Sequence, residues 1–271
     1  MGWRFAIAFL AAVLAAGQAF AEPKRIVSTH LCADQLLLLL ADRDRIAALS
    51  YFATDRALSY LAAEAEGFRR TRGLAEELAP LKPDLALVGK FAARPTTALL
   101  HRIGVPTLQL DLAETFDDVR KNIRIVAEAL GEPERGVRLI EAFDRELLSV
   151  TPATEDRPTI ALYWAHGYMP ASVSLAAEAV RRAGFQDLGA SLDDAGPSRL
   201  SVESLLLARP DLLATAARGP KALAGLPTSH KALQSAFPAD RRIAIPDRLW
   251  ICGAPFVAEA VKRLAARRSQ F

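Results

Sequence analysis

The stretch E-E-L-A-P-L-K-P-D-L at positions 76–85 decides the fold, because it returns as E-S-L-L-L-A-R-P-D-L at 203–212. Glu76, Pro83, Asp84 and Leu85 recur as Glu203, Pro210, Asp211 and Leu212, each displaced by 127 positions, and a basic residue precedes the proline in both copies, Lys82 and Arg209. In each copy a helical turn headed by a glutamate runs into Pro-Asp, and an apolar segment follows, Leu85 to Val88 in the first and Leu212 to Ala216 in the second. Proline cannot continue a helix, and a short apolar run bounded in this way reads as a strand. A helix–strand unit that recurs at one spacing predicts two related lobes.

The flanking sequence repeats the same grammar. Before and after the first copy, strands are predicted at Arg25–Ser28, Arg45–Ser50 and Val105–Leu110, with helices at Ala33–Ala41 and Thr96–Ile103. Around the second copy, strands are predicted at Thr159–Trp164 and Ile243–Ile245, with helices at Leu175–Ala183 and Pro255–Arg267. Short apolar strands alternating with helices form parallel sheets covered on both faces. Between the halves lie an amphipathic helix, Thr115–Leu130, and a second helix opened by Pro133 and running to about residue 151. At 1.5 Å per residue that second helix spans ~28 Å, a stiff strut at the midpoint of the repeat. The expected fold class is therefore α/β, two Rossmann-like lobes with parallel sheets joined by a single long α-helix. The boundaries are 22–132 for the first lobe, 133–151 for the joining helix and 152–271 for the second lobe.

Residues 1–21 are of another kind. One basic residue, Arg4, precedes an apolar run from Phe5 to Ala16, and Ala19, Phe20 and Ala21 form an A-x-A site. This is the layout of a secretory signal peptide cleaved after Ala21, and the run falls short of the ~20 residues of a spanning helix. The remainder, about 250 residues, is enough for one large domain or two of ordinary size. The formal charge of +3 is small, and no basic stripe or nucleic-acid motif is present, so nucleic acid is not an expected partner. The two cysteines, Cys32 and Cys252, either pair in an oxidising compartment or remain as two buried thiols.

Ligands of open parallel sheets bind at the carboxyl ends of the strands. The loops expected there carry Thr29, His30 and Cys32, then Tyr51 and Phe52, then Lys90, Phe91 and Arg94; in the later half they carry Trp164, His166 and Tyr168, then Asp247, Arg248, Trp250 and Cys252. Arg72 adds a further positive charge near them. Aromatic rings with a few polar groups suit a small-molecule site. His30 and His166 take similar places in the two halves, and a histidine pair suggests a metal or haem iron, although structural histidines are commoner. Tyr163 and Trp164 alternate on a strand, which places one of them in the core. No G-x-S-x-G, H-E-x-x-H, P-loop or G-x-G-x-x-G motif occurs, and no catalytic residue is named.

In order and spacing these features resemble the periplasmic substrate-binding proteins of ABC importers for cobalamin, ferric siderophores and haem. The resemblance is carried by R-I-V-S at 25–28, the E-x6-P-D elements of both halves, the helix 133–151 and L-W-I-C-G-A-P at 249–255. It implies a periplasmic monomer without a cofactor or catalytic activity, which delivers a metal chelate, ferric siderophore or cobalamin, to an importer permease in the inner membrane. It also implies that Glu76 and Glu203, one on each lobe, dock into arginines of that permease; a first-turn glutamate favours a helix N-terminus in any case. Tyr51 and Trp250 fall near ring-contacting aromatics of the cobalamin-binding member, but Arg70–Gly73 lacks the tryptophan which that member carries. Arg72, Lys90, Arg94 and Arg248 instead suit an anionic ferric chelate. The alternatives are a haem binder, with His30, His166 or Tyr168 as axial ligand, and an exported α/β hydrolase.

Overall fold

Residues 22–90, 94–150, 157–191, 198–216 and 230–271 are described by a computed structural model of the chain. The expected signal peptide, Phe91 and the side chain of Arg94 lie outside the described residues. The first half contains β1 (Ile26–Ser28), α1 (Leu31–Leu40), β2 (Ile46–Ser50), β3 (Arg70–Thr71), α2 (Ala75–Leu78), β4 (Leu85–Gly89), α3 (Arg94–Arg102) and β5 (Thr107–Leu110). Its five strands pair in the order β3-β2-β1-β4-β5, all parallel. Two helices follow, α4 (Phe116–Leu130) and α5 (Pro133–Leu148).

The second half contains β6 (Thr159–Leu162), β7 (Tyr168–Met169), α6 (Leu175–Arg182), β8 (Gln186–Asp187), β9 (Ser198–Arg199), α7 (Val202–Ala208), β10 (Leu212–Ala216), α8 (Lys231–Ala236), β11 (Arg242–Ile245) and α9 (Val257–Arg268). Its main sheet has the order β11-β10-β6-β8, again parallel, and β7 and β9 form a separate antiparallel ribbon. β1 and β6 are buried along almost their whole length, which explains why they read as continuous apolar runs.

The repeat extends to individual atoms. Lys82 and Arg209, each just before its proline, both adopt the left-handed region, with φ of 46° and 48°. For a non-glycine residue that conformation costs about 1–2 kcal/mol. The aspartates after the prolines do matching work. Asp84 accepts hydrogen bonds from the backbone N–H of Lys24 and Arg25 at 2.7 and 2.9 Å, at the entry to β1. Asp211 accepts from the backbone N–H and hydroxyl of Thr159 at 2.7 and 2.8 Å, at the start of β6. Each carboxylate thus locks its own strand to the neighbouring one, β4 to β1 and β10 to β6.

The strut between the lobes is a pair of helices. The N-terminus of α4 lies at the second lobe, where the Phe116 N–H donates to Glu178 of α6 at 2.5 Å, and its C-terminus lies at the first, where Arg45 donates to the Leu130 carbonyl. The chain reverses at Gly131, which has φ of 75°. Next, α5 starts beside Leu40, whose carbonyl accepts from Arg135, and ends beside Arg182, which donates to the Leu147 carbonyl at 2.6 Å. The two helices are antiparallel and joined by an Arg120–Asp144 ion pair at 2.7 Å and an edge-on contact of Phe116 with Phe143. The observed α5 ends at Leu148, and its 16 residues span about 24 Å.

The repeated aspartates differ in exposure, which sets their relative worth. Asp84 is exposed and Asp211 half-buried, and hydrogen bonds to a charged group contribute more when shielded from water. Asp211→Ala is expected to cost about 2 kcal/mol and Asp84→Ala about 1 kcal/mol, read from urea unfolding curves. Equal curves for the two variants and wild type would show that neither carboxylate anchors its strand.

Candidate functional site

In both main sheets the strands run parallel, so all their carboxyl ends fall on one edge. On the first sheet this edge carries Arg72 after β3, Tyr51 after β2, Thr29 and His30 after β1, Lys90 after β4 and Asp111 after β5. On the second it carries Asp247 after β11, Ala216 closing β10, and Trp164 two residues after β6. Two cavities open at these edges. An inner one of about 340 Å³ is lined by Thr29, His30, Cys32, Lys90, Asp111 and Gly253, among others. An outer one of about 650 Å³ is lined by Trp164, His166, Tyr168, Arg199, Asp247 and Trp250, among others. Leu112 and Ala113 line both, so the two are chambers of one cleft.

The outer chamber is walled by aromatic rings. Trp164 stacks on Tyr168 with centroids 5.8 Å apart and meets Trp250 at the same distance. Tyr163, the neighbour of Trp164, points the other way: it is buried and donates its hydroxyl to the Leu200 carbonyl at 3.0 Å. Of that alternating pair, tyrosine belongs to the core and tryptophan to the cleft. Cys32 and Cys252 are joined by a disulfide with Cα atoms 5.1 Å apart, and the bridge closes the inner end. Beside it Gly253 lies against Ala113 so closely that a Cβ would overlap the alanine methyl, which accounts for a glycine there.

The predicted site residues divide between the chambers and their surroundings. Lys90, His166, Tyr168 and Trp250 line the chambers, whereas Tyr51, Phe52, Arg72 and Arg248 line neither. Tyr51 and Phe52 are about half exposed, at 53% and 51%, and the guanidinium groups of Arg70 and Arg72 lie 5.6 and 5.9 Å from the Tyr51 ring. This is a cation–π cluster farther along the same sheet edge. Arg248 donates to the Arg56 carbonyl at 3.3 Å, and Lys90 pairs with Asp111 at 3.7 Å, which offsets its charge. Asp111 and Arg199 are cleft residues that the sequence reading did not select, and Trp164 is one of the pair that it left undecided. Asp111 follows a strand and was open to the same rule, whereas Arg199 sits on the β7–β9 ribbon, which has no sequence signal.

The histidines do not form a pair. His30 caps α1, with Nδ1 accepting from the Cys32 N–H at 3.2 Å, and its Nε2 is buried without a partner. Gly89 packs against this imidazole so closely that a Cβ there would meet its Cδ2 at 2.8 Å. His166 lines the other chamber, exposed on a turn with φ of 59°. His101 contacts the Thr107 hydroxyl at 2.6 Å, and His230 caps α8. Among the described residues no group of three His, Cys, Asp or Glu side chains is placed to hold a metal ion.

Beneath the cleft loops lies a buried carboxylate. Asp34 of α1 accepts from the Ser50 N–H at 2.9 Å and the Ser50 hydroxyl at 2.5 Å, which pins the end of β2 just before Tyr51. Burial raises its pKa from 3.8 to about 6, while hydrogen bonds from Ser28 and Ser50 act against the rise. Burial lowers His30 from 6.5 to about 4. The stability tied to Asp34 is complete below its unfolded pKa and is lost as pH rises through 6; that tied to His30 is complete above 6.5 and lost as pH falls through 4. Each amounts to up to about 3 kcal/mol, with opposite slopes over nearly the same window. In urea titrations Asp34→Asn should therefore lose about 2 kcal/mol relative to wild type as pH falls from 6.5 to 4. A difference that stays constant over that window would show that Asp34 ionises like an exposed carboxyl.

The architecture is shared with solved structures. The periplasmic heme-binding protein RhuT from Roseiflexus sp. RS-1, in apo form, is 22% identical and superposes with a TM-score of 0.76, covering 90% of this chain and 97% of its own. The periplasmic heme-binding protein HutB of Vibrio cholerae is 17% identical with a TM-score of 0.74, covering 89% and 97%. The periplasmic vitamin B12 binding protein BtuF of Vibrio cholerae is 19% identical with a TM-score of 0.68, covering 92% and 97%. At these identities the likeness shows the fold. No curated protein sequence matches the chain. The family model described as periplasmic binding protein matches residues 26–235, more than half of the chain, and with two parallel-sheet lobes facing one cleft the chain belongs to the periplasmic binding protein family.

Proposed function

We propose that the protein captures a metal chelate, a ferric siderophore or cobalamin, in the cleft and delivers it to an ABC importer permease in the inner membrane. The observation that carries this reading is the cleft wall itself. Trp164, Tyr168 and Trp250 offer aromatic faces, with a few polar residues such as His166 and Arg199 beside them. Such a wall suits a metal already saturated by its chelator, whose organic surface is what the protein touches. The solved relatives include proteins described as binding heme and vitamin B12 and, from Saccharomonospora viridis, one described as an ABC-type Fe3+-hydroxamate transport system, which supports the same ligand class. Haem is a second reading within that class, favoured by His166 and Tyr168, which both line the outer chamber and are both exposed.

In this reading the chain acts as a periplasmic monomer, cleaved after Ala21, that binds without turnover. Glu76 and Glu203 are its docking acids. They stand in the first turns of α2 and α7, one on each lobe, and both are exposed. Backbone and Ser201 hydrogen bonds hold the Glu203 carboxyl below its ordinary pKa, so it stays charged toward a cationic partner.

Cleavage after Ala21 removes Trp3 and leaves Trp164 and Trp250, both in the cleft, as the two tryptophans of the mature chain. Intrinsic fluorescence then reports from the site alone. Titration with a ferric hydroxamate, cyanocobalamin and haemin should show saturable quenching by at least one, and Trp250→Ala should weaken that binding by about tenfold, or 1.4 kcal/mol. No quenching by any of the three would defeat the proposal. Glu76→Lys with Glu203→Lys is expected to abolish uptake by the reconstituted importer and leave chelate affinity unchanged; undiminished uptake would exclude these acids from docking.

A further inference from the structure

We infer that the Cys32–Cys252 disulfide is a positioning device for the ligand site, which holds Trp250 in the cleft wall by tying its loop to the opposite lobe. The inference rests on the cleft being the ligand site. Cys32 stands in the first turn of α1, directly after the β1 loop, and its partner is 220 residues away. Cys252 follows Trp250 by two residues on the loop that leads from β11 of the second sheet to α9. The bridge therefore links the two walls of the cleft at its inner end, and Cys32 itself lines the inner chamber.

The same loop also packs Cys252 and Ala254 against Leu31 in a small buried cluster and Gly253 against Ala113, and it meets the first lobe at more exposed points. Phe256 stacks on Tyr60 at 4.0 Å, the Tyr60 hydroxyl donates to Glu259 at 2.9 Å, and Arg248 donates to the Arg56 carbonyl at 3.3 Å. Tyr60 and both hydrogen bonds are exposed, where such contacts contribute little. From Trp250 only two backbone steps lead to the covalent tie, and Trp250 is 5% exposed although it sits in a loop. Trp250 also packs into the main core, and the disulfide supplies the covalent part of its anchor.

A bridge that only stabilised the chain would lower the melting temperature when removed and leave the native cleft as it was. A positioning bridge would also alter the surroundings of Trp250. The test is acrylamide quenching of the mature chain carrying Trp164→Phe, so that emission comes from Trp250, with and without Cys32→Ser and Cys252→Ser, well below either midpoint. We expect the quenching constant to rise about threefold on loss of the bridge, as local opening exposes the ring. Unchanged quenching, with the missing bridge verified by mass spectrometry, overturns the inference. Should the double serine variant not fold, the Trp164→Phe chain is reduced under native conditions with dithiothreitol, whose two thiols become a cyclic disulfide as the two cysteines become thiols. Reoxidation should then restore the original quenching.

Because acrylamide needs no ligand, the result separates from the proposed function. Increased quenching with unaltered affinity for a ferric hydroxamate that wild type binds would uphold the bridge as the anchor of Trp250 and overturn Trp250 as a ligand contact.

Discussion

The antiparallel contact between α4 and α5 is the constraint on which the rest of the molecule depends. Two parallel sheets each need helices on both faces, and each leaves its strand ends facing outward. A cleft results only when two such edges are held at a fixed spacing. The helix pair does this because both members touch both lobes, through Glu178 and Arg45 on α4 and through Leu40 and Arg182 on α5. Gly136 lets the pair approach closely, since a Cβ there would meet the Ala127 methyl at 2.5 Å. Small residues at a helix crossing shorten the distance between axes and stiffen the pair.

The sheets gain their likeness from a second, repeated device. Pro-Asp after a left-handed residue ends a helix, turns the chain and presents a carboxylate to the start of the neighbouring strand. Four chemical features, a basic residue in the αL region, a proline, an aspartate and an apolar strand, act together in both lobes. Their recurrence is why the fold was legible from residues 76–85 and 203–212. Each feature has a local cause that a sequence expresses directly.

The cleft was legible only in part, for a physical reason. Strand ends can be read from apolar runs, so Lys90, His166, Tyr168 and Trp250 were reachable, and the structure brings all four to the chambers. The rule counts every strand equally, whereas a twisted sheet brings only some of its edge to the opposing lobe. Tyr51 and Arg72 follow β2 and β3, at one margin of the five-stranded sheet, and line neither chamber. The side to which Trp164 points depends on strand register, and the capping role of His30 depends on a backbone N–H two residues on. Neither is written in a pattern of residue types.

The cleft also leaves some buried polar atoms unsatisfied. Trp164 Nε1, Trp250 Nε1 and His30 Nε2 are buried atoms with no hydrogen-bond partner among the described residues, and all three residues line the chambers. A buried polar group left unpaired costs about 1–3 kcal/mol. Wall residues selected for a ligand and not for their own packing would carry such a cost, and stability elsewhere must offset it. The disulfide is well placed to do so. A native disulfide typically contributes about 2–4 kcal/mol, chiefly by restricting the unfolded chain. Its position at the inner end of the cleft lets one covalent bond both offset the unpaired donors and hold one of the residues that carries them.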